Sequence, residues 1–456
     1  MAEVKSNGRH ARKIFITVLG ITPYEETEYY LEDKPYKTYI TKFAPIAVLR
    51  LMQDKPDVVV PLMTKEAELN TWNKGFESEL RSLGFKHFEE GQEETIYKPL
   101  RIPEGVQNVR DDIEQIIWSI FNELPNHATV YFDITHGFRH LPMLIMLLLH
   151  YAKVIKNIEV GGVYYAAFKS KAEKSPILNL KFFSELQDWT RAIARFVHTG
   201  DVALLYEIIM DWAQPRLRES KGKDRVALLI RNLAENLSKL IGYIQTSRGP
   251  VIARNKEGNE LNQILNDILQ KQSITNEIPV TIIPLLEILK NKVKQFDRVN
   301  SIDNLLYAVE FCIDHGLIQQ GYTLLREYVV SKIEQEMVQA GMSDVTKQCT
   351  LRVIADIMFG FVARIRKDDD SLSVDDAHIP KQCREVEEKM KKILSELLNL
   401  KTVRTLINNR EVLSKLVERR NDINHAGFGR NSANYKTLQE ELRELHEAIK
   451  TILTKI

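Results

Sequence analysis

The chain has 456 residues, enough for two or three domains with cores of their own, and 44% of them are hydrophobic, which excludes a mainly disordered protein. Lysine and arginine number 63 against 62 aspartates and glutamates, a formal charge of +1, so no global bias draws the protein to nucleic acid and any such contact is local. Cys312, Cys349 and Cys383 stand far apart without a CxxC pair, which argues against a disulfide framework or a cysteine zinc site and fits a reducing, cytoplasmic compartment.

In chain order, residues 13–19 (KIFITVL) are β-rich and end at Gly20, Ile21, Thr22 and Pro23, where a loop begins; the apolar run is too short for a signal sequence. The pattern then predicts a helix over 41–52, a strand over 57–63 ending at Thr64, and a helix over 65–83. A short strand at 95–100, a helix over 108–124 and a strand over 129–134 (TVYFDI) follow. Next come a nearly all-apolar helix over 138–155, a strand over 163–168 and a last strand near 177–183. The most apolar stretch, 141–151, is too short for a bilayer, so no membrane association is expected. Strands alternating with helices of this length predict a doubly wound α/β sheet, its final strands a hairpin.

Ligands of such sheets sit beyond the carboxyl ends of the strands. Here those ends carry Gly20 and Thr22, Thr64, then Thr135, His136 and Gly137, then Tyr164 and Tyr165. The junction Asp133, Ile134, Thr135, His136, Gly137, Phe138, Arg139, His140 is the most informative. A glycine permits a tight turn, the following helix presents free N–H groups, and Thr135, His136 and Arg139 add donors, so the junction suits an anion. Asp133 reads as a residue that bonds neighbouring backbone, and His140 as a packed one. No GxGxxG follows the first strand, which points away from an ordinary dinucleotide and towards a differently shaped phosphorylated molecule.

Beyond residue 185 the pattern turns helical. Helices are predicted over 187–197, 203–212, 226–243, 261–269 and 283–294, with a strand-like stretch at 278–283 and polar loops over 214–224 and 248–259. From 301 onward they lengthen: 302–314, 317–339, 350–365, 383–400, 403–424 and 435–454, broken by an acidic stretch over 367–380. These predict an antiparallel bundle over 300–456, reached through a helical connector over 185–299. On its penultimate helix Arg420 lies four residues before Asn424, and Asn421 four before His425, so each pair shares a face, and Gly427 supplies a helix stop. A planar cationic fork for phosphate beside a group that exchanges protons near neutral pH suits phosphodiester cleavage without metal. The plainer reading is a helix end decorated with cations, which its dipole favours. Arg191 and His198 form a second, weaker pair of the same kind, set among Ile193, Phe196 and Val197.

Residues 133–139 (DITHGFR), after a strand of an N-terminal α/β domain, resemble the signature of CARF domains, the CRISPR-associated Rossmann fold. The run from Arg420 to His425 (RNDINH) resembles the R-x4-6-H motif of HEPN ribonucleases, including an asparagine after the arginine. Together they resemble the CARF–HEPN effector ribonucleases of type III CRISPR systems, over roughly residues 12–183 and 300–456. The resemblance implies a Rossmann-like CARF domain over 1–184 and a HEPN ribonuclease domain over 300–456. It implies a cytoplasmic homodimer or higher oligomer, metal-independent and without cofactor, that cleaves single-stranded RNA when cyclic oligoadenylate binds, cyclic tetra-adenylate being the commonest ring in the family. Stable DNA binding is not expected. Carried over by motif, Thr135, His136, Gly137, Phe138 and Arg139 bind the ring, with Gly20, Thr22 and Thr64 added from their strand-end positions; Arg420, Asn421 and His425 are catalytic. Two other readings stay open: a nucleotide sensor that cuts nothing, and a CARF domain that also cleaves its own ring through Thr22, Thr64 or His136.

Overall fold

The computed structural model describes residues 11–21, 24–89, 95–103, 109–136, 141–169, 173–271, 278, 280–365, 373–429 and 432–454. The chain divides into two compact units between Gln187 and Asp188.

The first unit is built on a mixed sheet in the order β3-β2-β10-β9-β8-β1-β4-β6-β5, with β7 also on β4. These strands are β1 (Lys13–Val18), β2 (Thr27–Leu31), β3 (Lys34–Thr41), β4 (Val58–Met63), β5 (Lys86–His87), β6 (Ile96–Tyr97), β7 (Leu100–Arg101), β8 (Thr129–Asp133), β9 (Glu159–Ala166) and β10 (Ser175–Asn179). Every residue of β4 is buried, as a central parallel strand covered on both faces requires. Along β1 the period of two sends Ile14, Ile16 and Val18 to one core and Phe15 to the other. The Phe15 face is covered by α1 (Ala44–Leu51), α2 (Lys65–Ala67), a wider-wound segment (Glu68–Phe76) kinked at Gly75, and α3 (Glu77–Ser82). The Ile14 face is covered by α4 (Val109–Glu123) and α5 (Leu141–Lys156), which contribute Ile116, Ile120, Ile145 and Leu149. Burying each such side chain is worth about 1.5–3 kcal/mol. In β9, Gly161 sits where the pairing with β8 shifts register; a Cβ there would lie 2.5 Å from the Tyr131 ring, so only glycine lets that ring cross the strand.

The expected α/β sheet and its final antiparallel pair, β9 with β10, are present. The β2–β3 hairpin is an addition that the sequence reading did not contain. Its outer strand is mostly exposed, Tyr36 at 84%, and carries Lys34, Pro35 and Lys37, the residues that keep a sheet edge from pairing onward. An edge strand of that composition has no apolar run to find.

The second unit is helical and shares one hydrophobic core from Trp189 to Leu453. After α6 (Lys181–Thr199), within which the chain divides, come α7 (Ala203–Glu219), α8 (Arg225–Gln245), α9 (Gly249–Arg254), α10 (Lys256–Gln270), α11 (Ile283–Val293) and α12 (Asn304–Asp314). They are followed by α13 (Ile318–Gln339), α14 (Leu351–Val362), α15 (Glu387–Leu397), α16 (Lys401–Asn408), α17 (Arg410–Asn424) and α18 (Tyr435–Leu453). Five expectations are corrected. The loop over 214–224 is helical to Glu219 with Pro215 inside the helix, and the loop over 248–259 holds α9 and the start of α10. The stretch near 278–283 contains a 3-10 turn, Val280–Ile282, instead of a strand. The helix over 403–424 is broken at Asn409, whose side chain donates to the Thr405 carbonyl while its backbone leaves helical geometry. Finally, Cys349 and Cys383, 34 residues apart, form a disulfide with Cα atoms 5.8 Å apart, joining the start of α14 to the segment before α15. Spacing along the chain hid that proximity. Cys312 is buried and free.

Candidate functional site

At the carboxyl end of the sheet, β1 is flanked by β4 on one side and β8 on the other, so the chain departs in opposite directions and leaves a crevice between the ends of β1 and β8. Thr17 and Asp133 are paired across it. Asp133 is fully buried; its oxygens accept from the Thr17 hydroxyl at 2.7 Å, the Thr135 hydroxyl at 2.5 Å and the Thr135 amide at 3.3 Å. Burial pushes its carboxyl up to about 6, against the lowering by the bonds from Thr135 and Thr17. The Thr135 hydroxyl also accepts from the Ala166 amide at 2.9 Å, so this oxygen ties β8 to β9. Thr64 caps α2 by accepting from the Ala67 amide.

Gly20 is held from both sides. Its amide donates to the Tyr24 hydroxyl at 2.8 Å and its carbonyl accepts from the Thr71 hydroxyl at 2.8 Å. Tyr24 stands edge-on to His136, ring centroids 4.5 Å apart, and a Cβ on residue 20 would lie 3.0 Å from the tyrosine oxygen. Burial pushes the Tyr24 phenol up to about 12 and the His136 imidazole down to about 4, so both are neutral at pH 7. His136 Nε2 is buried without a hydrogen-bond partner among the described residues. Thr17, Tyr24 and Thr71 are the members of this site that sequence reasoning missed. An aromatic six residues past the end of the first strand was the available signal for Tyr24; for Thr71, inside a helix, there was none. Thr22, Gly137, Phe138 and Arg139, together with His140, lie outside the described residues. Gly20, Thr135 and His136 do come together, around the Thr17–Asp133 pair, while Thr64 closes the start of the neighbouring helix. The result is a crevice with neutral aromatic edges around a buried carboxyl, and one spare imidazole nitrogen.

In the second unit, α17 is anchored by Leu413 and Leu416, both fully buried, and ends at His425. The Gly427 amide reaches back to the Asp422 carbonyl at 2.9 Å and the Ala426 amide to that of Ile423 at 3.0 Å, a Schellman ending. Its first left-handed residue is Ala426 (φ +53°), one position before the glycine that the sequence singled out as the stop. Asp422, buried below this turn, accepts from the Ala433 amide at 2.8 Å and fixes the far side of the loop. Asn421 and His425 are exposed on one side of the helix end, and Arg420 is half-buried.

Arg419 and Arg420 have divided the work. Arg419 is locked to Glu441 on α18 through both Nε and Nη2, which raises its already high pKa. Arg420 makes no ion pair among the described residues, its Nε is buried without a hydrogen-bond partner, and burial followed by the charge of Arg326 lowers its pKa. The competing pair differs: Arg191 is salt-bridged to Asp188 at 3.6 Å, and His198 lies exposed in the last turn of α6.

A doubly wound sheet with polar groups at its switch point is the arrangement in which such sheets bind ligands. Residues 14–169 match the family model described as "CRISPR system endoribonuclease Csx1, CARF domain". Over 220 residues, 48% of this chain, the sequence is 23% identical to the CRISPR-associated protein MJ1674 of Methanocaldococcus jannaschii; the aligned part spans 31% of that protein. Residues 14–169 are thus similar to a CARF domain, and the class of ligand that a CARF domain implies is a cyclic oligonucleotide. No helix among the described residues is long and apolar enough to cross a membrane.

Proposed function

We propose that the protein is an endoribonuclease of the HEPN type, switched on when cyclic oligoadenylate binds its CARF domain, and that it cleaves single-stranded RNA without metal. The observation that carries this reading is Arg420: a half-buried guanidinium with no ion pair among the described residues, one residue from an arginine that has two bonds to Glu441, on a helix that ends at an exposed His425. An unpaired arginine fork beside an accessible imidazole is prepared for a phosphodiester. In the reaction the RNA 2′-oxygen loses its proton and attacks phosphorus, and the bond to the 5′-oxygen breaks as that oxygen gains a proton. His425 handles these proton transfers, Arg420 holds the phosphoryl oxygens, and Asn421 orients imidazole or phosphate.

One histidine and one arginine per chain are few for these tasks, so the active site is composite and the protein works as a homodimer or higher oligomer. The apolar outer face of α5 supports self-association: Met143, Leu147, Tyr151 and Val154 recur on one side of that helix and are exposed, with Trp118 on α4 beside Tyr151. The test is a fluorogenic RNase assay with a panel of cyclic and linear oligoadenylates. Cleavage that needs a cyclic ring, cyclic tetra-adenylate first, and that falls about 10²–10⁴-fold in His425→Ala agrees with the reading. Ring binding without cleavage by the dimer makes the protein a sensor instead.

A second reading is favoured by His136, neutral at pH 7 and with its Nε2 lacking a hydrogen-bond partner among the described residues, so that this nitrogen is open to a proton from a ring 2′-hydroxyl. It predicts linear adenylate products from His425→Ala protein, lost on adding His136→Ala.

A further inference from the structure

Among the described residues Arg420 has no ion pair, in surroundings that ought to capture it. Helix α17 packs against α13 and α14, and the charges acting on Arg420 are those of Arg326, Glu327 and Asp356 on those two helices. A guanidinium near two carboxylates ordinarily closes a forked ion pair with one of them. Both are already taken. Arg326 donates through Nη1 to Glu327 Oε1 at 2.6 Å and through Nη2 to Asp356, while Arg352 holds the second oxygen of Glu327 and also bonds Glu334 at 3.1 Å and Ser331 at 2.7 Å. Arg326 is itself fixed, since its guanidinium lies over the Phe359 ring at 5.2 Å. Two arginines thus face three carboxylates, which leaves one surplus negative charge beside Arg420.

We infer that Arg326 is a positioning residue for Arg420: by occupying Glu327 and Asp356 it keeps the neighbouring guanidinium out of an internal ion pair and open to a phosphate. That the phosphate belongs to RNA rests on the ribonuclease reading; the competition for the two carboxylates does not. Replacing Arg326 by methionine, which keeps the aliphatic length over Phe359 and removes the charge, frees Asp356 and one oxygen of Glu327. Arg420 then turns inward. Removing the two freed carboxylates as well, in Arg326→Met/Glu327→Gln/Asp356→Asn, releases it again.

The experiment has two readouts on the full chain. The first is labelling of Arg420 by phenylglyoxal, quantified by peptide mass spectrometry, which needs no catalysis. The second is kcat and KM for activated cleavage of single-stranded RNA, with Arg420→Ala as reference. Arg326→Met is expected to lower Arg420 labelling several-fold and kcat/KM about tenfold, through KM more than kcat, and the triple variant to restore both. Restoration is the deciding result, because a residue needed only for folding is not rescued by deleting its own ion-pair partners. Unchanged labelling in Arg326→Met, or a loss that the triple variant does not recover, overturns the inference. If the unaltered protein cleaves no RNA under any activator, the ribonuclease reading fails while the labelling series still decides the role of Arg326.

Discussion

Asp133 offers a quantitative test of the switch point. Its carboxyl ordinarily titrates at 3.8 and in the folded protein is pushed up to about 6, chiefly because burial disfavours its charge. Between those values the folded protein holds a proton that the unfolded chain has released. Stability contributed by this group is therefore fully present below pH 3.8, falls as pH rises, and is gone above about pH 6. A shift of about 2.2 units at 1.36 kcal/mol each makes the loss about 3 kcal/mol. Asp133→Asn removes the titration and keeps the shape, with an oxygen for the Thr135 donors and an amide to which the Thr17 hydroxyl can turn. Amide hydrogen exchange of β1 and β8, followed by mass spectrometry in the intact chain, reports the opening free energy of this unit. The difference between variant and parent should move by about 3 kcal/mol in the variant's favour from below pH 3.8 to above pH 6. A difference that stays flat over that interval would show that Asp133 ionises normally and that the crevice is wetter than its geometry indicates.

The disulfide and the glycine give two further expectations. Cys383→Ser opens a link between residues 34 apart, and chain-entropy arithmetic puts the loss at roughly 3–4 kcal/mol, measurable by denaturant unfolding of oxidised parent against variant. Gly20→Ala places a methyl 3.0 Å from the Tyr24 hydroxyl and displaces the phenol from His136. Affinity for cyclic tetra-adenylate by calorimetry should fall at least several-fold, with the thermal midpoint little changed.

Much of this architecture could be read from the residues because burial imposes a period. The run 58–63 is apolar throughout and became a central strand, and residues 109–123 and 141–156 became the helices on one sheet face. In the β2–β3 hairpin, β3 was missed because a strand at a polar edge buries too little to leave a pattern, and β2 because five residues make too short a run to stand out. The single helix expected over 403–424 divides at Asn409 because a side chain bonding the Thr405 carbonyl competes with the helix ladder, a local choice that apolar spacing does not record. At the site, strand-end position correctly gathered Gly20, Thr135 and His136. It could not foresee that the Thr135 and Thr64 hydroxyls are engaged in holding β9 and capping a helix, nor that Thr71 would reach Gly20 from 51 residues away. Arg420 was picked out by spacing; that it stands unpaired beside a paired Arg419 is a fact of three packed helices.

Alanine at position 426 has a consequence for anyone wishing to re-engineer the helix end. A left-handed φ costs a residue with a Cβ roughly 1–2 kcal/mol, so the local sequence would not choose this turn unaided. It is imposed by the backbone bonds to Asp422 and Ile423 and by the Asp422 carboxylate, which takes the amide of Ala433 eleven residues on. The bearing of the imidazole is thus set by a clamp with jaws at 422 and 433. Loop grafts or chimeras with a cut between those positions would exchange one jaw without the other, and the workable unit of transplantation is the whole segment from Arg419 to Asn434, whose side chain caps α18.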